Sequence, residues 1–209
     1  MTAEQQIWQW VWLGFYTPEE ILEMVMEETW RTYFDYKTNA DTLETQKVKY
    51  QLLIAQFFNK KNNASTAWKS RTDVDRLENS FEELRTQIDV VAVHLAGRDY
   101  DEAIENIGFL FEEIEEEPEG DISKDFCFYL ENDINNMLPP LEKVQEQKGN
   151  LPLYFGQKED SHKQNLRLGE FIFKVLKNNN FKLNWSKKEG APIIIQDFEW
   201  QNRGENWEE

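Results

Sequence analysis

Cysteine and histidine are nearly absent from this chain of 209 residues, which holds one cysteine, Cys127, and two histidines, His94 and His162. A single thiol excludes an intramolecular disulfide framework, and no His or Cys spacing suits a zinc site. Gly-rich phosphate loops, a nucleophile elbow and zincin patterns are likewise missing. A Cys127–His94 nucleophile pair would need an exposed thiolate. Both residues sit in apolar runs, so a buried thiol and a hydrogen-bonded imidazole are expected instead. No cofactor and no metal are expected.

Long hydrophobic runs are also missing. The stretch from Ile7 to Phe15 is too short and too rich in Trp to span a bilayer, and the first residues lack the basic segment of a signal peptide. A soluble, cytoplasmic protein is the expectation, which leaves the sequons at Asn63 and Asn184 without glycosylation meaning. Basic charge is scarce as well, with 23 Lys and Arg against 40 Asp and Glu and a net charge of −17. A field of that sign repels nucleic acid and anionic lipid and attracts cationic partners. The composition, 40% hydrophobic and 14% aromatic, is ample for a core, and eight Trp with fourteen Phe leave aromatic surface for a partner.

Apolar periodicity predicts three helices in the first third. The first covers residues 4–14 with Ile7, Trp8, Val11, Trp12 and Phe15 on one face and Trp10 off it, either packed by a later element or open to a contact. Thr17-Pro18-Glu19-Glu20 starts the second with an N-cap, a proline at N1 and a glutamate at N3. The third carries Leu43, Val48, Leu52, Leu53 and Phe57 inward, and residues 59–67 read as an exposed loop and a candidate boundary.

Residues 72–97 mark the change from helix to mixed structure. Thr72 and Asp75 form a capping box, and Val74, Leu77, Phe81 and Leu84 make a buried stripe. Residues 88–95 read as a strand in a central position. A helix over about 100–115 then runs into Glu112, Glu113, Glu115, Glu116, Glu117, Glu119 and Asp121. Acid at a helix C-terminus opposes the dipole, so this run is either a solvated segment or a docking site for a basic surface. Strands follow at 126–130 and 151–155, then a helix at 161–177 and a C-terminal β-hairpin, 181–185 with 192–200. Residues 156–189 are locally basic, which gives a bipolar molecule or simply lysines at a favourable helix end.

Together Trp10 to Tyr16, Glu19 to Ile21, Trp68, Thr72 to Leu77, Phe81 to Leu84, Phe126 to Asp133, Leu153 to Gly156, Asn184-Trp185 and Ile193 to Arg203 resemble a bacterial family, domain of unknown function 6891. The family pattern favours a histidine within an aromatic strand where this chain has Phe128 to Asp133. Only Asp133 corresponds, which puts in doubt any acid–base or metal role resting on that histidine. The resemblance implies a fold and brings no established activity.

The expected architecture is a single α+β domain, residues 1–209, in which an N-terminal helical layer packs on a mixed sheet of about five strands. Two functional expectations follow. The first is a non-catalytic immunity or antitoxin-like protein that neutralises a cationic toxin domain through the acidic run and Trp10. The second is a carboxylate-based hydrolase or small-ligand enzyme using Asp73, Asp75 and Asp133. Asp73, Arg76 and His94, which the capping box and the helix stripe leave over, and Asp133, which corresponds to the family pattern, are the candidate ligand-site residues.

Overall fold

The computed structural model describes residues 1–33, 40–116, 124–141, 148–158 and 166–204. Seven helices and five strands occur among them, in an α+β arrangement. The chain divides into two compact units. One comprises Met1–Ser70, Leu138–Glu146 and Gln201–Glu209; the other comprises Arg71–Met137 and Gln147–Trp200.

The first unit contains α1 (Ala3–Leu13), α2 (Pro18–Tyr33) and α3 (Ala40–Ser65). Thr2 and Gln5 close a capping box at the start of α1, and Thr17 with Glu20 does the same for α2. Trp8 packs edge-on against Phe57 at 5.0 Å, and its indole N–H donates to the Pro139 carbonyl at 2.7 Å. Trp10, off the predicted stripe, is buried too, because α1 is enclosed on nearly every side over its last two turns.

Helix α3 departs from expectation in two ways. Its inward stripe is Tyr50, Ile54, Phe57 and Lys61, while Val48 and Leu52 are 48% and 68% exposed. The helix also continues through the predicted loop to Ser65. Both follow from Lys61, which is 2% exposed and whose Nζ donates to the Val11 carbonyl at 2.9 Å. Asn202 donates to the Leu13 carbonyl at 2.8 Å. These two side chains satisfy carbonyls that the end of α1 leaves orphaned. Gly14 ends α1 at φ +80°, where a Cβ would stand 2.8 Å from both of them.

The second unit is built on a sheet of order β1-β2-β3-β5-β4: β1 (Val91–Val93), β2 (Asp125–Phe128), β3 (Lys148–Gln157), β4 (Lys182–Asn184) and β5 (Ile193–Glu199). β1 and β2 are parallel and the other pairs antiparallel. The helices laid on this sheet are α4 (Asp73–Ile88), α5 (Tyr100–Glu116) and α7 (Leu166–Asn178), whereas α1 to α3 pack on one another. A short helix, α6 (Glu131–Asn135), follows β2.

β1 is an edge strand of three residues, not the central strand expected from its apolar run. Burial without a second neighbour is achieved by α4, whose Arg85 donates to the Ala92 carbonyl through Nε and Nη2 at 3.1 and 2.9 Å. A covered carbonyl cannot pair with a stray strand. Facing residues in antiparallel pairs share a side of the sheet, so Phe126 and Phe128 lie with Gly156 and Tyr154, and Cys127 lies with Phe155. Helix α5 packs Ala103, Ile107 and Phe111 on the Phe126/Phe128 side. Helix α7 approaches the other side through Gly169, where a Cβ would collide with Phe155 and Trp185.

Burial holds the Lys61 ammonium down to a pKa of about 7. The unfolded chain, with an ordinary lysine, then binds more protons than the folded chain from pH 7 upward to about 10.5. Folding stability therefore gains from this group as pH rises through that window. Between pH 7 and pH 10 the wild type should gain about 3 kcal/mol relative to Lys61→Met, read from urea unfolding at each pH.

Candidate functional site

The residues left over by the sequence fall into three separate places in the second unit. Asp73 and Arg76 form one of them. The Asp73 Oδ1 accepts from Arg76 Nη2 at 2.6 Å, and its Oδ2 accepts the Glu199 backbone N–H at 3.1 Å. Arg76 Nη1 also donates to the carbonyls of Asn179 and Asn180 at 3.1 and 2.9 Å, and its guanidinium lies 4.4 Å over the Phe181 ring. Both side chains thereby join the first turn of α4 to β5 and to the turn between α7 and β4. Asp75 accepts the Thr72 N–H at 2.7 Å in the capping box. The two carboxylates of the Asp73-Val74-Asp75 pair are thus structural ligands of backbone and arginine.

His94 occupies the second place, at the carboxyl end of β1. Its Nδ1 lies 2.9 Å from the Tyr129 hydroxyl, and its Nε2 lies 2.6 Å from Glu78 Oε2. The ring sits 4.5 Å from Phe81. The parallel register sets Ala92 against Cys127 and Val93 against Phe128, and thereby puts His94 beside Tyr129 at the strand ends. A row of polar atoms runs from the exposed Glu78 through His94 to Tyr129, which is fully buried. The hydrogen bond and charge of His94, with Arg85 nearby, hold the Glu78 carboxyl below its ordinary range. Burial raises the Tyr129 phenol well above its ordinary range and pushes the Cys127 thiol up as well. Neither is an available nucleophile. The expected buried cysteine and hydrogen-bonded histidine are what the structure contains.

Asp133, on α6, occupies the third place. It is raised by desolvation, partly offset by a hydrogen bond from the Leu130 backbone at the start of its own helix. Its charge acts on Tyr154, whose phenol burial and Asp133 together push up to about 12. Asp73 and Asp133 share no partner, and no grouping of three or more His, Cys, Asp or Glu able to hold a metal occurs among the described residues.

Of the acidic run, Glu112 and Glu113 are exposed on the last turns of α5. Glu115 and Glu116 continue the helix, with side chains outside the described set, and Glu117, Glu119 and Asp121 lie outside the described residues. Helix α5, Tyr100–Glu116, agrees with the helix predicted over about 100–115. Its outward face carries Asp101, Glu105, Phe109 and Glu112, at spacings of four, four and three, and Phe109 is 55% exposed. The helix holds seven carboxylates and no basic residue. Among the described residues a Cβ on Gly108 would meet no atom within 4 Å.

The fold and these contacts define an α+β protein of two compact units, with no helix among the described residues long and apolar enough to cross a membrane. The chain belongs to the family described as Domain of unknown function (DUF6891), which matches residues 1–204. No curated protein and no solved structure matches it.

Sequence reasoning missed Glu78 and Tyr129 as the partners of His94. Glu78 stands off the buried stripe of α4, and Tyr129 looks like one more aromatic of a strand. In His94→Gln the Glu78 carboxyl should titrate closer to the ordinary glutamate range, as read by carbon NMR of the carboxyl. Because the folded value is depressed, its contribution to stability is present above the ordinary glutamate pKa and lost as pH falls through the folded one. With Glu78 57% exposed that contribution stays below about 1 kcal/mol. Tyr129→Phe should cost about 1 kcal/mol through the lost His94 hydrogen bond.

Proposed function

We propose that this protein is a non-catalytic binding protein that docks a cationic protein, in the manner of a bacterial cytoplasmic immunity or antitoxin protein neutralising a basic toxin domain. The observation that carries this reading is the outward face of α5, where Asp101, Glu105 and Glu112 surround the exposed Phe109. Among the described residues no basic side chain pairs with Asp101, Glu105, Glu112 or Glu113. Carboxylates near the end of a helix oppose its dipole, so a cationic surface set against them relieves an unfavourable field. An exposed aromatic among charges supplies the apolar anchor that interfaces favour. The net charge of −17 adds long-range attraction.

A carboxylate enzyme fits less well. Asp73 and Asp75 are committed to capping, arginine and backbone, and Asp133 stands apart from them with a helix start of its own.

Co-expression with the product of the adjacent gene tests the reading. A complex is expected whose association rate falls at least about tenfold between 50 and 500 mM salt. Glu105→Lys with Glu112→Lys should weaken it by a further order of magnitude or so while leaving the fold intact by circular dichroism. No complex, or one indifferent to salt and to these substitutions, contradicts the proposal.

A further inference from the structure

Helix α3 buries one stripe and leaves another exposed. Tyr50, Ile54, Phe57 and Lys61 are buried and pack on α1 and α2. Val48, Leu52, Ala55 and Asn59, at spacings of four, three and four, lie on the opposite side of the helix and are exposed. Leu52 is 68% exposed and Val48, one turn earlier, 48%. Single exposed apolar residues are ordinary, whereas a row that repeats every seven residues along a helix of 26 is the pattern of a coiled-coil seam. In that heptad Val48 and Ala55 take the d positions, Leu52 and Asn59 the a positions, and Glu44 and Lys49 the flanking g and e positions. Glu44 and Lys49 are both exposed, and among the described residues neither pairs with a charge of its own chain.

We propose that α3 is a self-association surface, on which a second copy of this chain lays its own α3 in parallel. Val48, Leu52 and Ala55 then pack on their counterparts. A g carboxylate in a parallel pair meets the e ammonium five residues on in the facing helix, so Glu44 stands against Lys49 of the second copy, and this pair occurs twice. Asn59 faces Asn59, a polar pair at an a position that fixes the register. Local charge permits the approach. Although the net charge is −17, α3 carries Lys47, Lys49, Lys60 and Lys61 against Asp41 and Glu44, so two copies repel less here than across the acidic face of α5. Exposed ion pairs add little strength; they set the orientation, and Leu52 with Val48 supplies the attraction. Both copies use the same surface, so association stops at the dimer. One helix pair buries less than the roughly 1,200 Å² of a lasting interface, and the dissociation constant lies in the micromolar range, below about 1 mM. The inference stands apart from the reading of α5, since its residues all belong to the first unit and α5 to the second.

Sedimentation equilibrium of the full chain at physiological salt tests this. The weight-average mass should rise from 25.0 kDa toward twice that value, without exceeding it, up to about 1 mM. Leu52→Lys, at an exposed position, should weaken association at least about tenfold with an unchanged circular dichroism spectrum. Glu44→Lys or Lys49→Glu alone should weaken it about threefold or more, and the two substitutions together in one chain should restore it. Orientation is read by oxidative cross-linking, to which the buried Cys127 adds no background. Val48→Cys and Ala55→Cys should each form a disulfide with its own copy, because a parallel seam sets like positions opposite each other. A wild type that stays monomeric at 1 mM, association indifferent to Leu52→Lys, no recovery in the charge-exchanged chain, or Val48→Cys and Ala55→Cys chains that link only with one another overturns the inference.

Discussion

Asp73 and Arg76 tie the second unit together. One carboxylate receives an arginine and the Glu199 amide, and the same arginine reaches two consecutive carbonyls of the turn before β4 while covering Phe181. Three segments far apart in sequence are fastened by two side chains on one turn of α4. Removing either would leave the other partly buried and uncompensated, which is the costly way to break such a pair. The stacking of Phe181 on Phe198 and the pairing of β4 with β5 lie directly beneath this clamp.

The same economy appears elsewhere. Lys61 closes the end of α1, Arg85 covers the outer edge of β1, and His94 links the surface at Glu78 to the buried Tyr129. Asp73, Arg76, Lys61, Arg85 and His94 are engaged by backbone carbonyls, backbone amides and neighbouring side chains. What this leaves facing solvent is charge arranged on helices, with α5 acidic and α7 basic and each bearing an exposed phenylalanine.

Much of this architecture was legible in the chain. Thr72 with Asp75, and Thr17 with Glu20, announce two helix starts that form as the capping chemistry requires. Of the stripe Val74, Leu77, Phe81 and Leu84, the last three are buried and Val74 is half-buried, and the C-terminal hairpin pairs as expected. The failures share a cause. Lys61 is a polar residue on a buried stripe, so its segment resembled a loop, and the inward face of α3 was assigned to Val48 and Leu52 instead of Tyr50 and Ile54. β1 reads as central because a helix, and not a second strand, hides its outer edge. Asp73 and Arg76 seemed available because their partners, at Glu199 and at Asn179 and Asn180, are more than a hundred residues away and are mostly backbone atoms. No local pattern reveals a backbone acceptor. The acidic run that the sequence shows begins at Glu112, whereas Asp101, Glu105 and the place of Phe109 beside them needed the helix phase.

The claim that Asp73 and Arg76 serve structure is tested most directly by a double-mutant cycle. Urea unfolding of Asp73→Ala, Arg76→Ala and the double variant should yield a coupling energy of about 1–3 kcal/mol. Binding to the proposed cationic partner should be unchanged in any variant that folds. A coupling near zero would contradict the account, as would single substitutions that abolish binding at unaltered stability.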